Sequence, residues 1–350
     1  VIGGAGTIGS NYIKQILLFK PKRLLVVDIN ENGLTELTRD LRSGFLLDEI
    51  EDFRTYPINL NDCVFDKLIN KEENFDVVAN FAAHKHVRSE KDIYSIEGLV
   101  RNNVFGAIKL VKLLNKNKPK IFFSVSTDKA ANSVNIMGAS KSLMEKILLS
   151  QKSILNIKTA RFANVAFSNG SLLDGFINRV NKKQPISCPY DIKRFFVTPE
   201  ESGQICMLAT YLGESGNIFF PKFDFNRDQI FFKDIAEKFF SHLGYTLKEC
   251  DSEKEAKEFD IEKYNSYYPI YFFKSDTSGE KQYEEFYTDE ESVDLLTYES
   301  LGFIKKDLIN LKLDEVVSDF EYLFNRKNIS KSDIVKSIEK YVEDFNHIEK

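Results

Sequence analysis

What the sequence lacks narrows its function before any motif is read. Its four cysteines, Cys63, Cys188, Cys206 and Cys250, form no CxxC pair and no metal-ligand spacing. Reduced thiols in a cytoplasmic protein fit that scatter, with each cysteine a small core or surface residue. The four histidines, His84, His86, His242 and His347, make no zinc-type pair with a cysteine, and no metal site is expected. A formal net charge of −5 without any basic block gives nucleic acid no footing. No apolar run approaches the ~20 residues needed to span a bilayer, so no membrane segment is expected within these residues. There is no internal repeat.

A strand is also missing at the start. The glycine-rich GGAGTIG begins at Gly3, so only Val1 and Ile2 stand where a strand of about 5 residues should precede it. The chain is therefore expected to begin inside a longer natural protein.

What is present is ordinary globular material. The 350 residues, 43% hydrophobic and 29% charged, suffice for one large or two modest domains with a full core. Helical periodicity over 10–19 is followed by the apolar run LLVVDI (24–29), a polar helix near 31–43 and a strand over 53–58. The runs FDVVANFAA (75–83) and KIFFSVST (120–127) are continuously apolar, as strands buried on both faces must be. Helices are expected at about 61–70, 97–117 and 138–152, and a further strand over 157–165. This alternation predicts an α/β fold with a Rossmann-type, doubly wound parallel sheet and a smaller α/β substrate domain. The expected boundaries are 1–165 for the dinucleotide-binding domain, with later segments around 195–215 returning to it, and 166–312 mainly for substrate. Two amphipathic helices, near 313–325 and 331–348, make up a C-terminal part over 313–350. The charged stretch 251–265 reads as a solvated surface insertion.

Gly3, Gly6 and Gly9 stand in a GxxGxxG arrangement between strand and helix. Such glycines permit a tight turn and let a pyrophosphate approach the helix N-terminus, where unpaired amides favour anions. Asp28 closes the next strand, 19 residues after Gly9, where an acid binds the hydroxyls of an adenosine ribose. That carboxylate would repel a 2′-phosphate and no arginine follows it directly, so NAD is expected rather than NADP.

The most informative absence is chemical. STDKAANSVNIMGASK (126–141) has the form of a short-chain dehydrogenase catalytic segment, in which Tyr-x-x-x-Lys on a helix supplies the base. Here the pair is Met137 and Lys141, one turn apart on one face. A thioether cannot take a proton from an alcohol. Either the chain is inactive or other residues do the acid–base work.

Further segments make the chain resemble the extended short-chain dehydrogenase/reductase superfamily. Within it, the resemblance is to the CapD-like polysaccharide-biosynthesis nucleotide-sugar 4,6-dehydratases. They are NFAAHKHV (80–87), STDKA (126–130), NIMGASK (135–141), RFANV with SNGS (161–171), KRFFVT (193–198) and GEK (279–281), in that order over nearly the whole chain. The resemblance implies action on UDP-N-acetylglucosamine, and a homo-oligomer. One branch of that family has Tyr at the position of Met137 and another, including membrane-anchored members, has Met. In both, residues matching Asp128 and Lys129 perform the dehydration and the one matching Thr127 binds the sugar 4-oxygen.

The residue types suit that chemistry. Hydride leaves C4, the 4-ketone acidifies the C5 hydrogen, the C6 hydroxyl departs as water, and hydride returns to C6. An acid and a base must therefore stand beside C5 and C6. Lys129 has to be neutral to act as base, which the positive charges of Lys141 and the nicotinamide would favour. With Met137 mute, the 4-hydroxyl proton has two routes, to Asp128 or through Thr127 to solvent or Lys141. Asp128 is preferred, since one group could then receive that proton and deliver it at C6.

The resemblance also implies cofactor contacts at Thr7, Ile8, Asn59, Leu60, Ala82, Ala83 and Lys141. Substrate contacts are implied at Lys85, His86, Asn103, Asn164, Ser168, Arg194, Glu280 and Lys281, with Asn103 orienting backbone and Arg194 suited to a diphosphate. Where relatives carry Arg-Pro-Gly-Glu-Lys, this chain has Thr277-Ser278-Gly279-Glu280-Lys281. Without that arginine both UDP- and GDP-linked sugars stay open. A nucleotide-sugar 4-epimerase and a non-catalytic nucleotide-sugar-binding protein are the competing functions. The epimerase needs no acid–base pair at C5 and C6 and usually keeps the tyrosine.

Overall fold

In the computed structural model, residues 1–72, 75–224, 227–264, 266–275 and 284–349 are described. The apolar runs become parallel strands β1 (Arg23–Asp28), β2 (Asp52–Pro57), β3 (Val77–Asn80), β4 (Ile121–Val125) and β5 (Ile157–Ala160). Ile2 fills the slot between β1 and β3, bridging Val27 and Asn80, and its amide donates to Ala79 O at 2.8 Å. The order across the sheet is thus β2, β1, Ile2, β3, β4, β5, a doubly wound arrangement.

Beyond β5 the sheet continues with three later segments. Asn217–Pro221 pairs parallel to β5, and Leu301–Lys305 and then Ser292–Asp294 add antiparallel. Helix Pro199–Tyr211 packs on α1 (Thr7–Leu17) over the same sheet. The stretch read from sequence mainly as the substrate domain feeds the sheet at 199–221, next to the return expected around 195–215, and also at 292–305. Strand pairing is a long-range choice that local periodicity does not carry.

Large apolar side chains close both faces. Tyr12, Phe123 and Phe219 lie on one side, and Leu110, Leu143 and Ile147 on the other, all essentially unexposed. Each such burial stabilises by about 1.5–3 kcal/mol. Helices Leu313–Phe324 and Lys331–Glu339 add an outer layer, with Val316, Phe320, Ile334 and Ile338 sealed against the sheet helices. A second core, around Phe176, Phe240, Tyr268 and Ile270, holds the parallel strands Thr246–Glu249, Tyr267–Phe273 and Ile186–Pro189. No helix among the described residues is long and apolar enough to cross a membrane.

Four local expectations are corrected. The strand over 157–165 ends at Ala160, and Asn164–Val165 pairs instead with Phe196–Val197 as the chain leaves the main sheet. The helix over 97–117 begins at Ile93, opens into a π-turn at Arg101–Phe105 and closes at Leu114. The last helix stops at Glu339, after which the amides of Asn346 and Ile348 donate to Ser133 O and Val134 O. The charged stretch 251–265 is not wholly solvated: it forms helix Glu253–Glu258, whose Ala256 is buried.

Candidate active site

A cavity of about 490 Å³ lies at the C-terminal ends of the strands, between the sheet and the second core. Its size and position suit a small-molecule site in an open α/β sheet. One wall is the glycine loop. At Gly3, with φ +73°, a Cβ would stand 2.5 Å from Ala82 N, and at Gly9 2.3 Å from Gly3 O. Neither position admits a side chain. At Gly6 the nearest atom to a Cβ would be 3.5 Å away, and this residue begins α1 without a side-chain cap. Amides without a side-chain cap, together with Thr7 and Ile8 on the same cavity wall, fit a bound pyrophosphate.

Asp28 stands at the end of β1 beside this loop. Its carboxylate accepts from the amides of Ala5 and Asn30, both at 2.9 Å, so its position is set by backbone. The residues present thus fit a dinucleotide. Asn59 is exposed after β2, its Oδ1 accepting from Asn61 N at 2.8 Å, and Leu60 is buried. Ala82 N donates to Asn80 Oδ1 at 3.1 Å, and Ala83 lines the cavity.

The second wall carries the reactive groups. Asp128 and Lys129 form a 3-10 turn directly after β4, capped by Thr127. Thr127 Oγ1 donates to Asp128 Oδ1 at 2.7 Å, and Lys129 Nζ stands 3.1 Å from both carboxylate oxygens. The two partners differ in access: the Asp128 side chain is 4% exposed and that of Lys129 27%. Just beneath, Ser126 Oγ donates to Glu145, which with Glu291 grips the buried Arg161 guanidinium.

Met137 and Lys141 share a face of helix Ile136–Leu149 and both line the cavity. Lys141 Nζ donates to Val125 O at 2.8 Å and lies 3.2 Å from Met144 Sδ. Burial pushes this ammonium down to about 8, with Glu145 opposing. Met137 N donates to Glu90 Oε1 at 3.1 Å, and Glu90 Oε2 meets His347 Nε2 from the C-terminal tail at 3.4 Å.

The wall of the cavity expected to take the sugar is assembled from several segments. Lys85 Nζ donates to Asn169 O at 2.9 Å, and burial lowers the affinity of Lys85 and His86 for a proton. Ser168 and Asn164 line the opposite wall. Asn103 lies under the site in the π-turn: its Nδ2 donates to His84 O and Ser140 Oγ, and its Oδ1 accepts from His84 N. It clamps the segment that carries Lys85 and His86. Arg194 is buried outside the cavity lining, its Nη1 donating to Lys193 O at 2.7 Å. Glu280 and Lys281 lie outside the described residues.

One residue was not visible in the sequence. Glu284 is buried behind Asn164, 4.0 Å from Arg194 Nε, and its Oε2 accepts from Phe195 N at 2.7 Å. Burial, and then the like charge of Asp128, raise its carboxyl to about 8. Its only trace in sequence is a position three residues after Gly279-Glu280-Lys281.

The fold and site thus describe a Rossmann-type nucleotide-binding enzyme scaffold with an acid–base doublet at a strand end. Residues 1–306 match the family described as "Polysaccharide biosynthesis protein", and the chain belongs to that family. It is 31% identical over 307 residues to the "Uncharacterized membrane protein MJ1061" of Methanocaldococcus jannaschii, covering 86% of this chain and 83% of that one. The "Capsular polysaccharide biosynthesis protein CapD" of Staphylococcus aureus is 26% identical, over 95% of this chain and 52% of its own length. The chain thus spans about half of that relative. "UDP-N-acetylglucosamine 4,6-dehydratase (inverting)" of Campylobacter jejuni is 27% identical, over 63% of this chain and 66% of its own. Among solved structures, Pen from Bacillus thuringiensis superposes with a TM-score of 0.71 at 23% identity, over 97% and 96% of the two chains. DesIV of Streptomyces venezuelae, a dTDP-glucose 4,6-dehydratase with NAD bound, superposes with 0.61 at 16%, over 82% and 87%.

Proposed function

We propose that this chain is an NAD-dependent nucleotide-sugar 4,6-dehydratase of surface-polysaccharide biosynthesis, working in the cytoplasm on UDP-N-acetylglucosamine. The observation that carries the reading is the Asp128–Lys129 pair, 3.1 Å apart and opening onto the cavity that also receives the glycine loop. Elimination across C5–C6 needs an acid and a base side by side, whereas 4-epimerisation needs neither there. The name of the Campylobacter relative supports the same reaction class.

NAD, when bound, supplies a hydride acceptor at C4 and the same hydride back at C6, so the cycle is redox-neutral. Asp128 accepts the 4-hydroxyl proton and later passes it to the departing C6 hydroxyl, which leaves as water. Lys129 acts from its neutral form: it takes the C5 proton and returns one to C5. The difference in exposure suits these roles: enclosed Asp128 keeps its proton between two steps, and accessible Lys129 exchanges with solvent. Thr127, bonded to Asp128, orients the 4-oxygen. Met137 shapes the cavity wall and moves no proton.

The test is incubation with UDP-N-acetylglucosamine and NAD, read by mass spectrometry. A product lighter by one water supports the dehydratase. An isomer of unchanged mass means an epimerase, and unchanged substrate with bound nucleotide sugar means a binding protein. The same assay with GDP-N-acetylglucosamine decides the base.

A further inference from the structure

Residues 345–349 lie beyond the family-matched residues 1–306, yet they grip the backbone next to the doublet. The loop over 131–135 joins the 3-10 turn Asp128–Ala130 to helix Ile136–Leu149, and so links the doublet to Met137 and Lys141. In that loop the carbonyls of Ser133 and Val134 accept from the amides of Asn346 and Ile348, both at 3.0 Å. The Ser133 hydroxyl lies 3.1 Å from Lys129 O and 3.3 Å from Ala130 O. One residue thus touches both the segment 345–349 and the backbone of the proposed base.

His347 makes a second link. Glu90, in the 3-10 turn Val87–Lys91, accepts from Met137 N at 3.1 Å through Oε1, and its Oε2 meets His347 Nε2 at 3.4 Å. The helix start therefore has two side-chain acceptors, Glu90 for the Met137 amide and Asn135 for the Gly138 amide. A carboxylate at this end also faces the positive pole of the helix dipole. The Glu90 and His347 side chains are only 7% and 10% exposed, so water is a poor substitute for either partner.

The segment has its own anchors. Val342 and Phe345 are buried in the core that includes Ile136 and Met137, and Lys331 pairs with Glu349 at 2.9 Å. Tyr341 O accepts from Lys146 Nζ on the same helix, at 2.9 Å. Helix and doublet are also in close contact: a Cβ at Gly138 would stand 2.3 Å from Lys129 O. A shift at Met137 is therefore passed to the backbone of Lys129.

We propose that Glu90 and His347 are positioning residues, through which the segment 345–349 sets where the Asp128–Lys129 turn stands relative to Lys141. Neither is among the residues that line the cavity; they act on the backbone of residues that do. With the link cut, the groups that bind nucleotide and sugar stay in place, while the loop over 131–135 drifts. Lys129 then meets the C5 hydrogen less often. Turnover falls and affinity does not.

This inference rests on the dehydratase reading, but its first readout needs no substrate, so the two fail separately. In substrate-free His347→Ala, amide hydrogen exchange over 129–138 should rise by up to about tenfold, the loss of one hydrogen bond. Exchange in β3, β4 and β5 should not change. With UDP-N-acetylglucosamine, kcat should fall roughly tenfold, a fraction of what an ångström-scale misplacement removes, at unchanged KM and unchanged Kd for NAD. His347→Gln, whose side-chain NH2 can stand where Nε2 stands, should recover most of kcat. Glu90→Ala should lose at least as much as His347→Ala, and combining the two should lose nothing further.

Unaltered exchange over 129–138 in His347→Ala overturns the proposal. So do an unchanged kcat, a parallel loss of affinity, a His347→Gln protein no better than His347→Ala, or losses that add in the double variant. Failure of His347→Ala to fold also overturns it, since the contact would then hold the fold rather than place the doublet. If only Glu90→Ala fails to fold, the two His347 variants decide. If the wild type dehydrates nothing, the exchange result decides alone.

Discussion

The nucleotide wall and the sugar wall of the cavity are built on opposite principles. The nucleotide wall is backbone: Gly3, Gly6, Gly9 and the uncapped start of α1, with Asp28 held by the amides of Ala5 and Asn30. All of it lies within the first 30 residues. The sugar wall is side chain on side chain, drawn from segments far apart. Asn164 meets Glu284 across 120 residues, and Phe195 N meets the same carboxylate across 89. A wall made by backbone tolerates no side chain at Gly3 or Gly9. A wall made by buried polar side chains depends on protonation and on partners being present.

That contrast can be broken in several ways, beginning with the strongest. Lys129→Met removes the proposed C5 base from the doublet, and turnover should fall by about 10²–10⁴-fold. Exchange of the C5 hydrogen with deuterated solvent should stop with it, while the protein stays folded because Lys129 is partly exposed. Normal exchange in a folded variant would move the base elsewhere, to Lys141 or Lys85.

Gly9→Ala tests the backbone wall. Its new methyl would stand 2.3 Å from Gly3 O, so the loop must shift. NAD affinity should drop by roughly 100-fold, as for an ångström-scale misplacement. Titration calorimetry reads it directly, and wild-type affinity would show that the loop yields without cost.

Asp28→Ala should weaken NAD binding by roughly 10–100-fold, the loss of a charged hydrogen bond, and should narrow the preference over NADP. Tight NADP binding by the unaltered protein would contradict the role given to this carboxylate.

A milder effect separates the walls by pH. The folded protein holds the Glu284 proton up to about 8, whereas the unfolded chain releases it near 4.5. Thermal stability should therefore decline as pH rises through that interval, and the decline should be smaller in Glu284→Gln. The smallest change is Met137→Leu, a swap that roughly conserves volume and should cost only a few-fold in kcat. Complete loss in a folded Met137→Leu protein would give the thioether a role of its own.

Much of the nucleotide wall was legible because spacing alone carries it. A glycine that must pack on Ala82 N or Gly3 O leaves a gap in the sequence at a fixed distance from Asp28. The doublet Asp128–Lys129 was picked out through the family resemblance of STDKA, since two polar neighbours after a strand do not by themselves mark a site. Asn103 carried a weaker signal: a polar residue inside a helix, whose service to His84 depended on a π-turn that periodicity smoothed over. The single strand expected over 157–165 failed for a related reason, since Asn164–Val165 exchanges its sheet for a partner some thirty residues on.

By itself, the sequence determined the alternating strands and helices, the dinucleotide loop with its acid, and the absence of a tyrosine base. These follow from neighbours within about 30 residues, whose chemistry does not wait for the rest of the chain. Only the tertiary structure decided that Ile2 stands in for a central strand and that segment 292–305 completes the sheet. It alone brought Glu284 behind Asn164 and beside Asp128. Burial is a property of what surrounds a residue, and a carboxylate takes on an unusual affinity for protons only when distant segments shut out the water.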